Sequence, residues 1–248
     1  MQNLQNHNHP NQFKPSSKTN SHGAFIVIAG NIGSGKTTLT NLLANHLQFQ
    51  AHFESVEDNP YLGDFYSDMS RWSFPLQVHF LTHRFRAHQK ILESGSSAIQ
   101  DRSIYEDANI FARALFEDGK MDKRDYENYL RLYQVMTDQL AYPSLVIYLK
   151  RSVPRLQERI KLRGRDYEKQ IPQEYLMRLN SYYEDWFQQY NKGKGLKIDT
   201  DELDFLENPD HFQELVGRIL NSFDQKDFFL QANNSTINPS KSNETFLH

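Results

Sequence analysis

The sequence predicts an α/β protein built on a parallel sheet with helices on both faces. Short β-rich runs alternate with longer stretches of helical spacing, the signature of strand–helix–strand units. The run AFIVIAG at 24–30 is almost continuously apolar, as a strand buried on both faces must be. The glycine-rich turn after it opens directly into Leu39, Leu42, Leu43 and Leu47 at helical spacing. Right-handed crossovers follow from such an order, and ligands of such sheets gather beyond the carboxyl ends of the strands.

The further strand candidates, in order, are AHFE (51–54), SAIQD (97–101), SLVIYLK (144–150) and LKIDT (196–200). Helical windows cover 72–92, 104–117, 122–139, 153–163, 172–189 and 209–221. We expect one domain over residues 23–222. Residues 1–22, and mostly 223–248, are polar tails that bury too little to offset their ordering entropy. Net charge is −3, which lacks the basic footprint of a nucleic-acid-binding protein. There is no cysteine, so disulfides and thiolate metal sites are excluded. The apolar runs are strand-sized, short of the roughly 20 residues a membrane helix needs, and the N-terminal stretch has no apolar signal core. The expectation is a soluble cytoplasmic protein, free of nucleic acid and membrane.

Gly30-Asn31-Ile32-Gly33-Ser34-Gly35-Lys36-Thr37 fits G-x-x-x-x-G-K-[ST], with Thr38 next in line. Glycines let backbone N–H groups turn inward around phosphate oxygens, Lys36 brings a positive charge to the β and γ phosphates, and Thr37 offers a hydroxyl to Mg²⁺. The helix N-terminus adds its dipole. The D-x-x-G and N-K-x-D elements of a regulatory GTPase are missing; NKGKG at 191–195 lacks the Asp.

Several motifs sit where an acceptor would meet this cradle. Glu54 closes the second strand in FESVEDNPYL, with Glu57 and Asp58 in the following loop. As a residue alone, Glu54 fits a base for an attacking hydroxyl or a capping, solvated carboxylate equally well. DRS at 101–103 closes the third strand, placing Asp101 to hold Mg²⁺ or its water shell and Arg102 to bridge acceptor oxygen and phosphate. Gln77, Phe80, Leu81 and Arg84 share one helix face. A Gln and an Arg in an apolar stripe suit either a pocket for a planar polar base or a boundary face with satisfied polar groups. His79 and His83 are four apart without an evident third ligand and read as solvated helix histidines. Arg155, Arg159 and Arg163 recur every four residues, followed by Gly164 and Arg165. They form either an exposed basic stripe or part of a hinged lid, and in the lid reading Glu168 reaches the acceptor.

Together, GNIGSGKTT, FESVEDNPYL, RWSFPLQ, DRSIYED and RGRDYE, in that order, resemble the deoxyribonucleoside kinase family over roughly residues 24–221, specifically its bacterial deoxyadenosine/deoxyguanosine/deoxycytidine kinase branch. The resemblance implies the P-loop kinase three-layer fold with a five-stranded parallel sheet and an arginine-rich lid. It implies ATP as donor with Mg²⁺, a homodimer, and feedback inhibition by a deoxynucleoside triphosphate. It implies Glu54 as general base on the deoxyribose 5′-hydroxyl beside Arg102, Tyr66 and Glu168 on the 3′-hydroxyl, and Gln77 reading the base. Arg84 and Asp107 are implied as partnered charges at the pocket's far end, and Arg159, Arg163 and Arg165 as lid arginines. Two positions depart from the family pattern: Ser55 follows Glu54 where relatives often have Pro, and Phe80 stands where they often carry a smaller residue. The Arg84/Asp107 pair resembles that of purine and deoxycytidine kinases and is lacking in thymidine-preferring relatives, so deoxyadenosine ranks first and thymidine last. The rival readings are a thymidylate-type nucleoside monophosphate kinase, whose acceptor phosphate Glu54 would repel, and a P-loop binding protein with no acceptor.

Overall fold

The computed structural model describes residues 23–53, 59–165, 168, 171–201, 203–205 and 208–223. The expected tail at 1–22, the expected tail at 223–248 apart from Phe223, and Glu54 with its rivals Glu57 and Asp58, lie outside the described residues.

Five strands form one parallel sheet in the order β2-β3-β1-β4-β5. They are β1 (Phe25–Gly30), β2 (Gln50–His52), β3 (Ala98–Asp101), β4 (Leu145–Lys150) and β5 (Lys194–Asp199). The central strand β1 is buried along its whole length, which is why its sequence shows no alternation. It pairs with β3 from Phe25↔Ala98 to Ile28↔Asp101 and with β4 from Ile26↔Leu145 to Gly30↔Leu149. The chain reverses its direction of winding at β1, so the crevice at its carboxyl end is the topological switch point. The edge strand β2 is shorter than its sequence window and ends at His52.

One apolar layer packs Ile26, Ile28, Leu145 and Ile147 against Leu39 and Leu43 of α1 (Lys36–Leu47) and Leu215 and Ile219 of α9 (Pro209–Ser222). Each such fully buried side chain contributes about 1.5–3 kcal/mol. Phe223, placed by sequence at the start of a tail, packs into this layer. On the other face, Val27, Val146 and Tyr148 meet Leu179, Tyr182 and Tyr183 of α8 (Gln173–Gln188).

Three differences from the sequence reading shape the site. A short helix, α2 (Leu62–Ser67), precedes α3, which runs Met69–Ser94 and so begins earlier than residue 72. Asp68 sets that start: its side chain accepts from Arg71 N at 3.1 Å, and Pro75 is tolerated within the helix. The expected helix 104–117 is three pieces, α4 (Ile104–Glu106), a π-helical turn (Asp107–Ala112) and α5 (Arg113–Glu117). The inserted residue of a π turn rotates the side chains that follow, a device common at functional sites. Two helices, α6 (Lys123–Thr137) and α7 (Val153–Arg163), complete the fold. No described helix is long and apolar enough to cross a membrane.

Candidate active site

The turn after β1 is a glycine cradle by necessity. Gly33 and Gly35 hold φ of 81° and 96°, and a Cβ at Gly33 would lie 2.9 Å from Leu156 O. Lys36 is buried and its Nζ donates to Asn31 O at 2.8 Å, spanning the loop. The Asn31 side chain ties the loop to α8: Nδ2 donates to Leu176 O at 3.0 Å and to Asn180 Oδ1 at 2.7 Å, while Oδ1 accepts from Ile32 N of the loop itself at 2.7 Å. Ser34 Oγ is buried without a hydrogen-bond partner among the described residues.

At the head of α1, Thr37 Oγ1 donates to Asp101 Oδ2 at 2.5 Å, while Asp101 Oδ1 is buried with no hydrogen-bond partner among the described residues. A carboxylate with a spare oxygen beside a hydroxyl is a hard oxygen donor set, the type that suits Mg²⁺.

Arg102 follows Asp101 with φ of 66°, unusual for a residue with a side chain. Its backbone N donates to Ile28 O at 3.0 Å, its Nη1 donates to Tyr183 OH at 3.0 Å, and its guanidinium lies 4.5 Å over the Phe111 ring. The buried Glu106 carboxylate stands behind it, 3.9 Å from Nη1.

Helix α3 contributes Gln77, buried with Oε1 lacking a hydrogen-bond partner among the described residues, and Arg84, ion-paired to Asp107 of the π-helical turn. Phe80 lies between them in sequence, its ring 5.0 Å from the Arg84 guanidinium. Leu81, expected on the same face, is fully buried in the helical layer instead, and Leu76 takes its place in the cavity wall. After α7, Glu168 is buried and draws in two arginines: Arg163 Nε donates to Oε2 at 2.9 Å, and Arg165 Nη1 lies 3.5 Å from Oε1.

These side chains line two cavities. The first, of about 190 Å³, brings together Lys36, Thr37, Tyr66, Gln77, Arg84, Asp101, Arg102, Asp107, Arg163, Arg165 and Glu168. The second, of about 430 Å³, is walled by Gly33, Gly35, Thr38, Arg151, Arg159 and Phe205. Lys36, Thr37, Arg163 and Arg165 border both. Arg159 therefore belongs to the second cavity only, where it lies 3.7 Å from Asp204. Arg155 borders neither and pairs with Glu158 at 3.0 Å, so only part of the arginine stripe faces the site. His79 and His83 have ring centroids 4.3 Å apart, and no group of three metal-ligating side chains exists among the described residues.

Sequence reasoning did not single out Glu106, Tyr183, Phe111, Tyr175 or Arg151. Tyr175 and Phe111 line the first cavity. Arg151 is fixed by donation to Thr200 O at 2.6 Å. DRSIYED did hold a usable signal for Glu106: a Ser followed three residues later by Glu at a helix start is a capping box.

Comparison with known proteins agrees with this geometry. The family model for deoxynucleoside kinases matches residues 26–224. The deoxyadenosine/deoxycytidine kinase of Bacillus subtilis is 39% identical over 198 residues, covering 79% of this chain and 91% of that protein. The deoxyadenosine kinase of Dictyostelium discoideum is 42% identical over 175 residues, 71% of each chain. Among solved structures, the M. mycoides deoxyadenosine kinase with bound dCTP superposes with a TM-score of 0.69 at 32% identity, over 80% of this chain and 100% of that one. The chain belongs to the deoxynucleoside kinase family.

Proposed function

We propose that the protein transfers the γ-phosphoryl group of ATP to the 5′-hydroxyl of a 2′-deoxyribonucleoside, deoxyadenosine first, as a salvage step. That the chain is a kinase of deoxynucleosides drawing on a nucleoside triphosphate follows from its family; the base, the residue roles and Mg²⁺ are our reading. One observation carries it. The two cavities meet at Lys36, Thr37, Arg163 and Arg165, so a donor in the second and an acceptor in the first would face each other across three cations and a hydroxyl.

Phosphoryl transfer asks a protein mainly for positioning and electrostatic stabilisation. Gln77 and the Arg84–Asp107 pair orient the base, and Tyr66 and Glu168 engage the 3′-hydroxyl. Glu54 accepts the proton of the 5′-hydroxyl beside Arg102, a role that rests on the sequence resemblance. Lys36, Arg163 and Arg165 offset charge on the transferring group, while Arg159 contacts the donor. Thr37 and Asp101 would hold Mg²⁺, which when bound supplies Lewis-acid stabilisation of phosphate oxygens. The homodimer and a cytoplasmic location are proposed on the sequence reading.

Family membership goes against both a monophosphate kinase and a non-catalytic binder. The test offers purified protein the four deoxynucleosides and dTMP with ATP. The expected result is nucleoside-dependent ADP formation with kcat/KM highest for deoxyadenosine. Phosphorylation of dTMP alone, or ADP formation indifferent to nucleoside, would overturn the reading.

A further inference from the structure

Glu106 is fully buried, yet it lines neither cavity. A buried carboxylate persists only if its acceptor sites are filled, and here they are. Oε2 accepts from Ser103 N at 2.8 Å and Ser103 Oγ at 3.3 Å; Oε1 accepts from Tyr183 OH at 2.7 Å and Gly30 N at 3.4 Å. Those four donors match the roughly four lone-pair sites of an ionised carboxylate. They come from three places: the start of the phosphate loop, the turn after Arg102, and α8.

The bond to Tyr183 has a direction. Arg102 Nη1 donates to the phenol oxygen at 3.0 Å, and the phenol donates its own proton to Glu106. Burial pushes the Tyr183 hydroxyl well above its ordinary range, so it stays a donor. A chain running from guanidinium through phenol to carboxylate polarises each member and fixes all three. Its cationic end is a residue held at φ 66° whose side chain borders the first cavity.

We propose that Glu106, acting through Tyr183 and the Ser103 turn, is a positioning residue that aims the Arg102 guanidinium at the phosphoryl-transfer point. This rests on the reading of Arg102 as a residue that touches the reacting oxygens. Glu106 itself touches neither substrate. Its negative charge, 3.9 Å from Nη1, and its hold on Ser103 together select one guanidinium orientation.

The test compares Glu106→Gln, Tyr183→Phe and Arg102→Ala, with the Glu106→Gln/Arg102→Ala double variant, by steady-state and single-turnover kinetics with deoxyadenosine and ATP. Glu106→Gln should lower kcat by about ten- to a hundred-fold, the cost of misplacing one group by up to an ångström. Both KM values should stay within about three-fold, since ground-state binding is untouched. Tyr183→Phe, which keeps the ring stacked on Tyr148, should lower kcat in the same direction and carries the test if Glu106→Gln does not fold. On the Arg102→Ala background, Glu106→Gln should change kcat by no more than about two-fold, because groups that act as a unit are not additive. A full, additive loss on that background would leave Arg102's role standing and sink the one given to Glu106, as would wild-type kcat in Tyr183→Phe. Wild-type kcat in Arg102→Ala would instead overturn the catalytic reading on which the inference rests.

Discussion

Arg84 and Asp107 form a buried ion pair in the wall of the first cavity, joining α3 to the π-helical turn. Two charges can be held away from water only because each compensates the other, and breaking such a pair from one side costs about 3–5 kcal/mol. Asp107→Asn should therefore lower stability by that order in urea unfolding. It should also lower kcat/KM for deoxyadenosine by about ten-fold or more, because polar groups arranged for one base are left mispaired. Thymidine phosphorylation should fall less. An equal loss for both nucleosides would mean that the pair supports the fold without reading the base.

A second expectation concerns Thr37 and Asp101, whose hydroxyl and carboxylate meet at 2.5 Å. If the pair holds Mg²⁺, Asp101→Asn should raise the Mg²⁺ concentration for half-maximal rate by about ten-fold, the order by which metal sites respond to a changed ligand shell. The deoxyadenosine KM should move little. Titration of rate against free Mg²⁺ at saturating ATP checks this, and an unchanged Mg²⁺ requirement assigns the cation to other groups.

Glu54 carries the chemical step in our reading. General-base help is worth about 10²–10⁴-fold, so Glu54→Gln should reduce kcat by that order. ATP binding, measured by equilibrium titration, should stay within a few-fold. Wild-type-like turnover in that variant would remove Glu54 from the mechanism and return attention to its neighbours.

Much of this arrangement was legible in the sequence because it is written locally. The Gly30–Thr37 turn, the buried run of β1, and α7 at Val153–Arg163 each follow from contiguous residues with a single physical reading. The start of α3 lies earlier than residue 72 because the Asp68 side chain caps it through Arg71 N, a contact that exists only once the helix has formed. The π-helical turn left no local signature; it depends on how Asp107–Ala112 packs against its neighbours. Tyr183 was invisible for a related reason. Its partner Glu106 is 77 residues away, and a tyrosine on an apolar helix face reads as core until a buried carboxylate is found opposite. Likewise Arg155 shares the spacing of Arg159 and Arg163, but the turn of α7 sends it to solvent with Glu158.

The last expectation lies outside the site. His88 on α3 is fully buried, its Nε2 donating to Ala141 O at 2.9 Å and its ring edge-on to Phe25. Burial outweighs that carbonyl's opposing effect and pushes the imidazole down to about 4 from its ordinary 6.5. Nδ1 has no hydrogen-bond partner among the described residues, so protonation there would place a charge in an apolar setting. In the unfolded chain the ring takes up a proton as pH falls through about 6.5, while the folded ring stays neutral until about 4. The unfolded state thus binds more protons across that window. Stability from this group is complete above the unfolded value and declines by about 3 kcal/mol as pH drops to about 4. Urea unfolding from pH 7.5 to 4 should show a shallower acid-side decline for His88→Gln than for the wild type. Parallel profiles would show that His88 titrates alike in both states and that the acid sensitivity resides in the carboxylates.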